Sequence, residues 1–151
     1  MSRIKKLFGV ALATLIATIG ALVVAASPAQ ADLVCRTPPY VSGGWNIDVC
    51  ISNQTSECPA GQACYETVSG FGHIYARPSA CSTVRVYIVD ENNTPRFSTS
   101  ARPCVVASVK PVEVWDGQFG NGLVKARLVA YNSSGTQIRS IDSAWVYALG
   151  D

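Results

Sequence analysis

Trp45-Asn46-Ile47-Asp48-Val49-Cys50-Ile51-Ser52 alternates apolar and polar side chains without a break. A strand places successive side chains on opposite faces, so this octet puts Trp45, Ile47, Val49 and Ile51 on one buried face. The same period recurs along the chain. Val84, Val86 and Ile88 share a face, as do Val124, Ala126, Leu128 and Ala130. Val112 and Val114 share the face of a shorter strand, Pro111 to Trp115, and Trp145, Tyr147 and Leu149 alternate near the end. Cys64–Ser69 and His73–Ala76 are weaker strand candidates. No apolar pattern at helical spacing lasts three turns after residue 31.

Turn chemistry separates these runs. Glu91-Asn92-Asn93-Thr94-Pro95 and Asn132-Ser133-Ser134-Gly135 fall between apolar segments, where Asn and Gly accept the left-handed backbone of tight hairpins. The two hairpins resemble each other, with Ile88–Phe97 mapping onto Val129–Ile138 at an offset of 41 residues. Seven or eight short strands predict an all-β fold, a single disulfide-bonded antiparallel β-sandwich. Asp32–Gly44, with Pro38-Pro39 and Gly43-Gly44, reads as extended coil leading into the sheet, and Gly117–Gly122 has no assignment.

Residues 1–31 read as a cleaved secretory signal peptide. Arg3, Lys5 and Lys6 precede an uncharged apolar run from Leu7 to Val24, and Ala29-Gln30-Ala31 is an A-x-A cleavage site. Pro28 and the small residues around it, with no basic cluster after them, argue against a retained membrane anchor. The expected mature domain is 32–151. Three of the twelve Lys and Arg lie in the leader, leaving nine against ten acids, a net charge of −1. No basic run is visible, which argues against nucleic acid or an anionic membrane as partner.

All six cysteines fall in the expected mature part, an even count that implies disulfides and an oxidising compartment. The expected pairing is sequential: Cys35–Cys50, Cys58–Cys64 and Cys81–Cys104. With one histidine and no C-x-x-C pair, no metal site is expected, and no cofactor motif occurs.

No residue stands out as catalytic. Elbow, P-loop, dinucleotide and zinc-protease motifs are absent. His73 sits in Gly70-Phe71-Gly72-His73, which reads as a flexible turn leading into a strand. The carboxylates are scattered, and solvated surface acid is the default reading of each.

Two stretches suggest recognition. Trp115-Asp116-Gly117-Gln118-Phe119-Gly120-Asn121-Gly122 sets aromatic faces beside polar groups, a mix that suits a sugar. Its candidate ligand-binding residues are Trp115, Asp116, Gln118, Phe119 and Asn121; the plainer reading is a plug at the end of the sandwich. Between Cys58 and Cys64 lie Pro59, Ala60, Gly61, Gln62 and Ala63, a rigid loop if bridged, and rigid loops suit inhibitors. This octet, ending at Tyr65, resembles the Cys-Pro-x-Gly-x-x-Cys start of secreted, crystallin-like bacterial peptidase inhibitors. The resemblance implies inhibition but covers these residues alone, and no fold or reactive residue carries over from it.

The expectation is therefore a small secreted, non-enzymatic binding protein whose partner is an extracellular glycan, an envelope component or a protein. A secreted inhibitor of a protease or glycosidase is the alternative.

Overall fold

The computed structural model describes residues 32–55, 66–115, 118 and 120–148. They form two antiparallel sheets packed face to face, with no α-helix among them. The elements are β1 (Asp32–Cys35), β2 (Tyr40–Ser42), β3 (Trp45–Thr55), β4 (Glu66–Ala76), β5 (Thr83–Asp90), β6 (Pro95–Ser98), β7 (Arg102–Pro103), β8 (Ser108–Trp115), β9 (Gly122–Tyr131), β10 (Gln137–Asp142) and β11 (Val146–Ala148). One sheet has the order β1-β3-β4-β8, with β2 also on β3. The other runs β10-β9-β5-β6, with β11 on β9 and β7 on β5. The expected all-β sandwich is this structure, and ladder pieces of two to four residues raise the strand number above eight.

The inner faces follow the period-two reading. Trp45, Ile47, Val49 and Ile51 of β3 are buried, as are Val84, Val86 and Ile88 of β5 and Val124, Ala126, Leu128 and Ala130 of β9. Val112 and Val114 of β8 join the same core. At roughly 1.5–3 kcal/mol for each buried large aliphatic side chain, this interdigitated layer is the main favourable term of the fold. At the C-terminus Val146 and Ala148 point inward, and Trp145 and Tyr147 are exposed.

Three sequence expectations need correction. Asp32–Gly44 is not coil: β1 pairs with β3, and β2 forms a hairpin with β3 across Gly43 and Gly44, both at positive φ. Gly70–His73 is not a turn: it lies inside β4, which is one strand where two fragments were expected. The glycines are needed there for close packing. A Cβ at Gly70 would lie 3.0 Å from Ala126 Cβ, and one at Gly72 would lie 2.6 Å from Leu128 Cδ1. The third concerns the paired hairpins, which both lie in the β10-β9-β5-β6 sheet. Asp90 Oδ1 accepts the N–H of Asn92 and Thr94, and Asn132 Oδ1 accepts those of Ser134 and Thr136. Asn93 and Gly135 hold the equivalent positive-φ positions. The turns therefore superpose one residue further along than the apolar pattern suggested, because the side-chain cap and not the hydrophobic phase fixes each turn.

Two expected disulfides are formed. Cys35–Cys50 joins directly paired positions of β1 and β3. Cys81–Cys104 ties the β4–β5 connection to the segment before β8, inside the core. Cys58–Cys64 lies outside the described residues, as does the expected leader at 1–31.

Candidate functional site

The anticipated site around residues 115–121 is only partly described. Trp115 ends β8 opposite Thr67, and Gln118 is exposed. Asn121 lines a shallow polar cleft of about 150 Å3 with Asp90, Glu91, Asn92 and Arg96. Asp116, Phe119 and the side chain of Trp115 lie outside the described residues. The loop from Pro59 to Ala63 also lies outside them.

A different constellation forms on the outer face of the sheet that contains β4. With Val68, Gly70, Gly72 and Ile74 inward, alternation turns Phe71, His73 and Tyr75 outward along one strand. Phe71 and His73 are half-buried, and Tyr75 is 50% exposed. Tyr75 is the extra residue of a β-bulge, since Asn46 faces Ala76 while Ile47 faces Ile74. A bulge re-aims the side chain it carries. Here the Tyr75 ring sits 4.3 Å from that of His73, centre to centre, tilted by 42°.

Register builds a polar row across this aromatic line. Asp48 of β3 faces His73 of β4, which faces Ser108 of β8. His73 Nδ1 and Ser108 Oγ share a 2.8 Å hydrogen bond whose direction the imidazole tautomer sets. Asp48 Oδ1 is buried and has no hydrogen-bond partner. An acceptor withdrawn from water without a donor costs about 1–3 kcal/mol.

Asp, His and Ser in a row invite a catalytic reading, and the geometry weighs against it. The unpartnered Asp48 oxygen does not orient the imidazole as a triad acid does. The β4 and β8 backbones are engaged in a ladder at His73 and Ser108, and the row lies on an open sheet face. An oxyanion needs unspent donors in a shielded position. The same row supplies what recognition of a polyol needs: ring faces, a hydroxyl, an imidazole and an acceptor.

The Asp48 carboxylate also lies within 4.8 Å of the Cys35 and Cys50 sulfurs. Those sulfurs are bonded to each other, so they offer no thiolates to a metal.

The opposite sheet presents a charged cluster that satisfies itself. Asp142 accepts from Lys125 Nζ at 2.7 Å and from Arg127 Nε at 2.6 Å, and Arg127 Nη2 reaches Asn93 Oδ1 at 3.0 Å. Lys125 Nζ stands 4.2 Å over the Trp145 ring. Burial pushes the Asp142 carboxyl upward, but hydrogen bonds from Arg127 and Lys125 outweigh it and hold the group below the ordinary carboxylate range. The Arg127 guanidinium is raised in turn, chiefly by its hydrogen bond to Asp142 and against the effect of burial. With its charges paired internally, this cluster is a brace between β9, β10 and the β5–β6 turn.

Phe71, Tyr75, Asp48 and Ser108 are not among the sequence candidates. The signal for the first two was present: Phe71, His73 and Tyr75 recur at period two between Gly70, Gly72 and Ile74. Asp48 and Ser108 join them only through register, which one sequence does not specify. No protein-family model, curated protein or solved structure matches the chain.

Proposed function

We propose that this chain is a small secreted, non-enzymatic binding protein, and that its ligand is an extracellular glycan laid across the outer face of β3, β4 and β8. The observation that carries the reading is the line Phe71–His73–Tyr75 on the outer face of β4, with Asp48 paired to His73 in register. The His73 and Tyr75 rings, 4.3 Å apart, form one platform, and Phe71 stands about 7 Å from His73 along the strand as a second, so the two meet separate units of an extended polymer. Sugar C–H faces stack on rings, and sugar hydroxyls donate to a carboxylate. Disulfides fit an oxidising compartment, and no helix among the described residues is long and apolar enough to cross a membrane.

Affinity electrophoresis of the protein in gels carrying soluble polysaccharides tests the reading. Retardation by at least one polymer is expected, and Phe71→Ala with Tyr75→Ala should weaken it about tenfold or more, equivalent to about 1.4 kcal/mol. The double variant should keep its thermal transition. Retardation untouched by that variant but lost in Trp115→Ala with Phe119→Ala would move the site to the 115–121 loop.

A further inference from the structure

A second recognition surface lies beside the free edge of β8. The segment between β7 and β8 crosses from one sheet to the other and leaves a groove of about 270 Å3. Pro103, Val105, Ala107 and Val109 give it aliphatic walls, with Arg102 and Lys110 beside them. Val105 and Val106 are 50% and 62% exposed, at the mouth of the segment.

The two cations stand out when every basic side chain after residue 31 is followed to its partner. Arg36 and Arg139 lie over the Tyr40 ring, and Arg77 donates to the Cys81 carbonyl. Arg96 pairs with Asp90, and Lys125 and Arg127 with Asp142. Arg85, near Tyr131, has no acid, ring or carbonyl partner among the described residues, and neither have Arg102 and Lys110. Of these three, Arg102 and Lys110 line the same apolar groove.

The backbone adds a third element. β8 pairs only with β4, so its other edge has no ladder partner among the described residues. Pro111 lacks an N–H, and a bulge over Lys110–Pro111 breaks the β4–β8 register. The usable edge is therefore short, Ser108 to Lys110. The groove is also preformed. Cys104 is bridged to Cys81 and donates to the Ser82 carbonyl, and the Ala107 carbonyl accepts from Ile74 N–H. Little ordering is left to oppose binding.

We infer that this groove captures the free C-terminus of an extended apolar peptide, which adds as a short strand to β8 and sets its carboxylate between Arg102 and Lys110. Edge N–H and C=O groups supply main-chain hydrogen bonds, and the aliphatic walls take a small apolar side chain. The cations select the free acid. The inference does not rest on the glycan reading: Ser108 borders both surfaces, but the cations and aliphatic walls of the groove take no part in the aromatic row.

Isothermal titration of the full protein with acetyl-Ala-Val-Val as free acid and as C-terminal amide tests it, with decanoate as a third ligand. The acid should bind at least tenfold more tightly than the amide and weaken as salt is raised. Arg102→Ala with Lys110→Ala should abolish the difference, while Phe71→Ala with Tyr75→Ala leaves it intact. Val105→Asp, which spares both cations, should weaken acid and amide alike. Equal affinity for acid and amide would overturn the inference, as would no acid binding at millimolar concentration or a preference for the acid retained in the double variant. Binding of decanoate without the peptide acid would overturn it in favour of an acyl ligand.

Discussion

Gly70 shows how one residue sets the distance between the sheets. Its missing side chain lets β4 approach Ala126 Cβ to 3.0 Å and Val112 Cγ1 to 3.3 Å, measured from where a Cβ would stand. A methyl on the Ala126 backbone has no rotamer through which to withdraw. Gly70→Ala should therefore destabilise the protein by about 2 kcal/mol, within the usual overpacking range, as a lower urea midpoint at unchanged slope. Asp142 is a charged counterpart. Losing it strands two cations, Lys125 and Arg127, the first nearly buried. Asp142→Asn should cost about 2 kcal/mol at pH 7, since the site is only partly solvated. The carboxyl is lowered in the folded state, so its contribution is complete above the unfolded value near 4 and is lost as pH falls through the folded value. The gap between wild type and variant should close on acidification, and a gap constant from pH 7 to pH 2 would contradict the pairing. Tyr131 behaves in the opposite sense. Burial first, then its hydrogen bond to Tyr87, pushes its phenol up to about 12. The unfolded chain loses that proton near 10, so this contribution is present below pH 10 and lost between about 10 and 12. Tyr131→Phe should flatten the fall in stability over that window.

At the scale of elements, what was legible in the sequence depended on whether one local pattern decided the outcome. β3, β5 and β9 alternate valine, isoleucine, leucine and alanine with polar residues over long stretches, and their buried faces are those the period requires. β4 was not legible as one strand, because glycine at alternate positions imitates turn chemistry. Only the opposite sheet, with Ala126 and Leu128 at packing distance, shows why nothing larger fits. β1 and β2 were hidden for a related reason. Too short to show a period, they exist because β3 is long enough to pair both, with Cys35 held against Cys50. The candidate site was the least legible part. The Asp48–His73–Ser108 row is made by two inter-strand registers, and the bulge that lifts Tyr75 is itself a break in one of them. The anticipated loop at 115–121 drew on the density of aromatics and glycines, which reports a turn as readily as a site.

For the whole molecule, covalent closure and core burial share the stability. Cys35–Cys50 closes 15 residues of chain and Cys81–Cys104 closes 23. The chain-entropy model assigns each closure about 3 kcal/mol, so the two are comparable to the 5–15 kcal/mol net stability of an ordinary domain. Replacing Cys81 and Cys104 together by Ala should lower the denaturation free energy by about 3 kcal/mol or more, because their sulfurs also fill the core. A urea curve indistinguishable from wild type would contradict that account. The measurement that bears most directly on the proposed function is a titration of the isotope-labelled protein with cello-, xylo- and chito-oligosaccharides, followed by amide chemical shifts. The account predicts saturable shifts centred on Asp48, Phe71, His73, Tyr75 and Ser108, absent in the Phe71→Ala, Tyr75→Ala variant. Shifts centred on Gln118 and Asn121, or none with any sugar at millimolar concentration, would contradict it.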